Sequence, residues 1–332
     1  MKLLVLGGTA WLGHEIARHA VERGHEVTCA ARGRSGAVPG GASFVDVDRD
    51  DDAGLRRVAG GRWDAVVDVS RQPGQVRRAV RDLRNAGYYL FVSSGSAYAD
   101  QGPAGQDEDA PLLPPLDSDV MDTMEAYGPA KVACEQAVVE AFGPAHSMIA
   151  RAGLIGGPGD GSGRTGYWPL RFAHPSNPSG SVLIPEAQDL PTQVIDVRDL
   201  AAWVVTCCQE QRSGVYNAMG HSWSFADHIA AARRVARHDG PVVTADAPWL
   251  HARGVGEWAG PRSLPLWLSD PDWQGMNARS NKRALDAGLV LRPLEETLKA
   301  ALEWEEAQGP DSPRRAGLTR DEERELLAAL SG

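Results

Sequence analysis

Two side chains four residues apart, Tyr127 and Lys131 in the run Tyr127-Gly128-Pro129-Ala130-Lys131, are the strongest chemical signal in the chain. On a helix that spacing sets both on one face. A cation beside a phenol favours phenolate and lowers its pKa toward working pH. Such a pair suits a general acid/base that moves a proton on and off an alcohol oxygen. Proline is tolerated in a first helical turn, so Pro129 predicts a helix starting close to Tyr127.

The elements that must position this pair begin at residue 1. Met1–Leu6 is an apolar run of buried-strand length, followed by Gly7-Gly8-Thr9-Ala10-Trp11-Leu12-Gly13 and a helical stretch from Glu15 to Gly24. Strand, glycine-rich turn and helix are the context of a dinucleotide site. Gly7 and Gly8 let backbone approach a pyrophosphate, Gly13 permits close helix–strand packing, and the helix N-terminus favours negative charge. Ala10 stands where a third glycine is usual. The next strand, His25–Ala31, ends in Arg32-Gly33-Arg34 with no acid for a ribose 2′-hydroxyl; two guanidiniums suit a 2′-phosphate, which favours NADP over NAD.

Further strands are expected at Ala42–Asp48, with Asp48 against the adenine edge, at Trp63–Val69 and at Tyr88–Val92, with a helix around 75–85. Strands alternating with helices imply an α/β fold: a Rossmann-type, doubly wound parallel sheet whose ligands sit beyond the carboxyl ends of the strands. The fifth strand empties into Ser93-Ser94-Gly95-Ser96, where one hydroxyl can donate to a substrate oxygen.

Together these motifs resemble the extended short-chain dehydrogenase/reductases, which include NAD(P)-dependent epimerases, dehydratases and reductases. The resemblance spans nearly the whole chain. It rests on the Gly7–Gly13 turn, Phe91–Tyr98, Glu108–Pro114, Tyr127–Lys131 followed by Ala133-Cys134-Glu135, Arg151-Ala152-Gly153, Gly157–Asp160 and Ile195–Ala201. It implies Tyr127 as catalytic acid/base. Lys131 would tune that phenol and hold the nicotinamide ribose, and Ser94 would hold the substrate oxygen. Gly7, Gly8, Thr9, Trp11, Leu12, Gly13, Arg32, Arg34 and Asp48 are implied around the cofactor.

The chain also departs from that pattern. Leu154 stands where sugar-nucleotide enzymes of the family carry a phosphate-gripping asparagine, and Gly156 where a tyrosine is usual. Gly95 and Ser96 replace the acidic pair of the dehydratases. The leading expectation is therefore an NADP-dependent oxidoreductase that interconverts a carbonyl and an alcohol on a small, less anionic substrate. The alternatives are an epimerase of a sugar or sugar nucleotide using tightly bound NAD(P), and a non-catalytic dinucleotide sensor.

Residues 156–192 are rich in Gly, Pro and Ser and are expected to start a substrate-binding lobe. The chain is expected to return to the sheet at Gln193–Asp196 and at Gly214–Asn217, so the lobes interleave. The dinucleotide-binding domain is read as 1–155 plus 193–218, and a smaller substrate lobe as 156–192 plus 219–332 with a C-terminal helix opened by a Thr319–Glu322 capping box. Trp249, Trp258, Trp267, Trp273, Tyr167 and Trp168 offer aromatic faces, of which one or two are expected at the pocket.

A net charge of −10 disfavours nucleic acid and anionic membranes as partners. No apolar run approaches transmembrane length, and residues 1–6 are spent on a strand and too short for a signal peptide. Cys29, Cys134, Cys207 and Cys208 make no Cys-x-x-Cys pair and no disulfide framework, and Cys207 and Cys208, in an apolar helical run, read as buried thiols, which fits a reducing cytoplasm. The histidine spacings suggest no metal site. The resemblance implies a homodimer through the Tyr/Lys helix, with Val132, Val138 and Val139 facing either the partner or the sheet.

Overall fold

The computed structural model describes every residue except Asp311 and Gly332. Strands β1 (Lys2–Leu6), β2 (Glu26–Ala31), β3 (Ser43–Asp46), β4 (Ala65–Asp68), β5 (Tyr89–Ser94) and β6 (Ser147–Ala152) form one parallel sheet. A late strand, Gly214–Ala218, pairs parallel with β6. The spatial order is β3-β2-β1-β4-β5-β6 and then Gly214–Ala218, so the winding reverses between β1 and β4. That is the switch point where such sheets bind ligands.

Both faces of the sheet are covered, which explains its near-continuous apolar strands. Leu3 and Val5 of β1, Val67 of β4 and Leu90 of β5 pack with Ile16 and Ala20 of helix α1 (Trp11–Glu22) and with Leu200 and Val204 of the helix Val197–Glu210. The alternate residues Leu4, Leu6, Val66, Tyr89 and Phe91 pack on the other face. There they meet Val76 and Val80 of the helix Pro73–Asp82, and Cys134 and Val138 of the helix Tyr127–Phe142.

A second core holds the smaller lobe. Trp168 and Phe172 of the helix Arg164–Ala173 meet Phe225, Trp267, Leu298 and Leu326. Tyr167, Trp168 and Trp267 are thus structural, while Trp273 is exposed. Phe225–Ala236 is a helix as expected, and Thr319 and Glu322 form the capping box that opens the helix Arg320–Ser331.

One expectation is corrected. Pro191–Asp196 does not return to the main sheet. It pairs instead with Leu154–Gly156 and Ser222–Ser224 in a separate three-stranded sheet, because Gly214–Ala218 already occupies the free side of β6. In the Tyr127–Phe142 helix, Val132 and Val138 are buried within the protomer and only Val139 is exposed. All four cysteines are buried, and no helix among the described residues is long and apolar enough to cross a membrane.

The Tyr127 helix touches the end of β5 closely. A Cβ on Gly128 would lie 2.3 Å from the Ser96 carbonyl oxygen and 2.6 Å from Leu113 Cδ1. Only glycine permits that approach. Gly128→Ala is expected to destabilise the protein by roughly 1–3 kcal/mol, the usual cost of overpacking, measured by chemical denaturation. An unchanged unfolding midpoint would show that the contact is loose.

Candidate active site

The turn after β1 and the start of α1 form the floor of the site. A Cβ on Gly13 would lie 2.3 Å from the Gly7 carbonyl oxygen, so α1 can pack this tightly only with glycine there. Ala10 precedes the helix without any side-chain cap, and no acid lies in the first turn. The first amides of α1 are therefore free for an anion, and the helix dipole favours one. This open, uncapped cradle fits a dinucleotide pyrophosphate.

Two cavities meet at this turn, sharing Ala10 and Val69. The larger, about 740 Å³, runs along the ends of β1, β2 and β4 past Gly7, Thr9, Arg32, Arg34 and Arg71. Its wall is strongly cationic. Arg49 is neutralised by a buried, two-pronged pair with Asp68 (2.7 and 2.6 Å), and Arg32 faces Asp50 at 3.3 Å. Among the described residues no carboxylate lies within ion-pair distance of Arg34 or Arg71. Burial works to raise the Asp68 pKa, but the Arg49 guanidinium and the Tyr89 hydroxyl hold the carboxyl below its ordinary range.

The smaller cavity, about 300 Å³, is lined by Trp11, Leu12, Gly13, Ser94, Tyr127, Lys131 and Gly153 among others. The expected Tyr127, Lys131 and Ser94 thus share one pocket. Lys131 is buried, and its Nζ donates to the carbonyls of Ser70 (2.6 Å) and Val92 (2.7 Å). An ammonium has three protons, so one is left for a ligand. The Nζ also lies 4.5 Å from the centre of the Phe91 ring.

The three serines after β5 separate by their bonds. Ser93 is buried and gives its hydroxyl to Glu135, which also pairs with Arg151 at 2.8 Å. Ser94 Oγ accepts from the Ser96 amide (3.1 Å) and donates to Ser96 Oγ (3.2 Å); Ser93 and Ser94 line the pocket and Ser96 does not. Trp11 lines the same pocket, and its indole donates to the Pro158 carbonyl (2.8 Å), tying the turn to the smaller lobe.

Two of the expected cofactor residues lie off the cavity wall. Gly8 packs against Cys29 beneath the turn. Asp48 is exposed and accepts from the Asp50 amide, while Val47, Arg49 and Asp50 form the lining there. Sequence reasoning passed over Arg71 and Ser70, which follow β4. The signal was present, since they stand at a strand end beside the switch point. No group of three or more His, Cys, Asp or Glu side chains among the described residues is arranged to hold a metal ion.

Comparison with known proteins agrees with this fold. A 3-diazoavenalumate denitrifying reductase from Streptomyces sp is 27% identical over 240 residues, 64% of this chain and 74% of that protein. The UDP-glucose 4-epimerase of Thermus thermophilus, solved with NAD, superimposes with a TM-score of 0.65 at 18% identity, covering 92% of this chain and 98% of the other. Bordetella bronchiseptica WbmH, solved with NAD+, gives 0.65 at 17% identity over 93% and 99%. At those identities the structures speak for the fold alone. Residues 3–218 match the family model of the NAD dependent epimerase/dehydratase family. A parallel sheet with its switch point at a glycine turn, and that match over most of the chain, give one conclusion: the protein belongs to the NAD-dependent epimerase/dehydratase family and is an NAD(P)-dependent enzyme.

Proposed function

We propose that the protein is an NADP-dependent oxidoreductase that interconverts a carbonyl and an alcohol on a small organic substrate, with Tyr127 as acid/base. The observation that carries this reading is the single pocket shared by Tyr127, Lys131 and Ser94, opening at Ala10 and Val69 into an arginine-lined cleft. When bound, the nicotinamide cofactor supplies or accepts the hydride. Ser94 donates a hydrogen bond to the substrate oxygen and orients it. Tyr127 gives that oxygen its proton on reduction and takes it back on oxidation. Lys131, fixed by two carbonyls, directs its remaining N–H and its charge into the pocket.

Net redox chemistry is favoured over sugar-nucleotide epimerisation because Leu154 is buried in the apolar core of the smaller lobe, so its side chain offers no donor to a diphosphate. The reductase relative points the same way. For the cofactor, Arg34 and Arg71 without carboxylate partners favour a 2′-phosphate, with Arg32 beside them.

Tyr127→Phe is expected to cut turnover about 10²-fold or more with NADP affinity nearly unchanged; near-normal turnover removes Tyr127 from the role. The double substitution Arg32→Ala and Arg34→Ala should weaken NADPH far more than NADH in binding titrations. Equal loss for both would refute the 2′-phosphate assignment. Finally, substrate turnover should bleach the near-ultraviolet absorbance of added NADPH in step with product. Product formed with no net absorbance change would mean epimerisation.

A further inference from the structure

We propose that the segment 116–126 is a strap whose tip, Val120, packs on the adenosine half of the bound dinucleotide, so that the hold on the cofactor and the placement of Tyr127 belong to one piece of chain. This rests on the reading of the larger cavity as the seat of that half, between the glycine turn and the arginines that follow β2.

Both ends of the segment are fastened to the Tyr127 helix. The Leu116 amide donates to the Pro129 carbonyl (2.9 Å), and the chain returns through the short turn Met124–Ala126 directly into Tyr127. In between it crosses to the first turn of the helix Pro73–Asp82. There the Gly74 amide donates to the Asp119 carbonyl (2.9 Å), the Met121 amide donates to Gln72 Oε1 (2.7 Å), and Arg77 pairs with the Asp119 carboxylate. That helix has no side-chain cap, so the strap supplies the acceptor for one of its free amides. The approach is close: a Cβ on Gly74 would lie 2.9 Å from Asp119 Cβ and 3.1 Å from the Asp119 carbonyl oxygen. Met121, next to the tip, is buried, which leaves Val120 outward on a fixed backbone.

Asp119 and Val120 line the same cavity as Gly7, Arg34 and Arg71, and neither lines the pocket of Tyr127. Val120 is 55% exposed, and among the described residues it packs into none of the apolar cores. An isopropyl group held in that state gains nothing from the protein itself. It gains when a ligand with an apolar face covers it. Leu6, Ala30 and Val47 line the cavity too, so it offers apolar carbon as well as guanidinium. Phosphates and a ribose have no use for the carbon, whereas the faces of a purine ring do. A nucleotide is the ligand that matches both.

The test titrates the full chain with 5′-AMP, adenosine 2′,5′-bisphosphate and inorganic pyrophosphate by calorimetry. Val120→Ser should weaken both adenosine ligands roughly fivefold, the gain open to a half-exposed valine, and leave pyrophosphate unchanged. Val120→Ile should bind all three as the natural protein does. Gly74→Ala changes no charge, and its added Cβ meets Asp119, so it should also weaken the adenosine ligands. In the natural protein, amide hydrogen exchange over 117–121 should slow with 5′-AMP and not with pyrophosphate. The proposal is overturned if Val120→Ser binds 5′-AMP within about twofold of the natural protein, if pyrophosphate weakens equally, if Gly74→Ala has no effect, or if exchange over 117–121 ignores 5′-AMP. The exchange measurement needs no substitution, so it decides the matter should a variant fail to fold. Equal affinity for 5′-AMP and the bisphosphate would sink the 2′-phosphate reading, while Val120-dependent binding of both would leave the strap standing.

Discussion

The buried ammonium of Lys131 is the constraint on which the site depends. Its bonds to the Ser70 and Val92 carbonyls tie the Tyr127 helix to the ends of β4 and β5. The end of β4 borders the switch point, so the one side chain locates the phenol relative to the sheet and the glycine turn together. A charge this enclosed is tolerated only because oxygen acceptors and the Phe91 ring replace its water. Gly128 serves the same end by letting the helix sit against the Ser96 carbonyl.

Charge is distributed along the cleft in a consistent way. Near the end of β4, Arg49 is consumed by Asp68, whose second oxygen also accepts from the Tyr89 hydroxyl at 2.7 Å. That pair is structural, and removing either partner would strand a buried charge. The guanidiniums left unanswered, Arg34 and Arg71, lie on the open wall where a ligand's anion can meet them. Ser93, Glu135 and Arg151 form a second closed network, which leaves Ser94 as the pocket-lining serine not bonded to Glu135.

One polar contact near the chemistry ties the glycine turn to the loop that follows Leu154–Gly156. The Trp11 indole reaches across from the cofactor turn to Pro158, and a Cβ on Gly159 would lie 2.7 Å from the same indole. Beyond that loop begins the helix whose aromatic residues Tyr167 and Trp168 hold the smaller core, and whose first residue is Arg164. One tryptophan therefore touches both the glycine turn and the loop that leads into the second core.

The sequence by itself determined the α/β alternation, the glycine turn and the Tyr127–Lys131 face, because each is a local pattern whose period or spacing is written in consecutive residues. It also carried the start of the Tyr127 helix, through Pro129, and the capping box at Thr319. Tertiary structure decided what depends on distant neighbours. Ser93 and Ser94 both line the pocket, and Glu135, forty-two positions away, claims the hydroxyl of Ser93. Pro191–Asp196 went to a second sheet because the open edge of β6 was filled by a later strand, and Val132 and Val138 turned inward because the sheet offered apolar cover. Arg71 joined Arg34 on one wall only once the chain had folded. Pairing is a property of the assembled chain, since a residue's partner is set by packing across the fold and not by its neighbours in sequence.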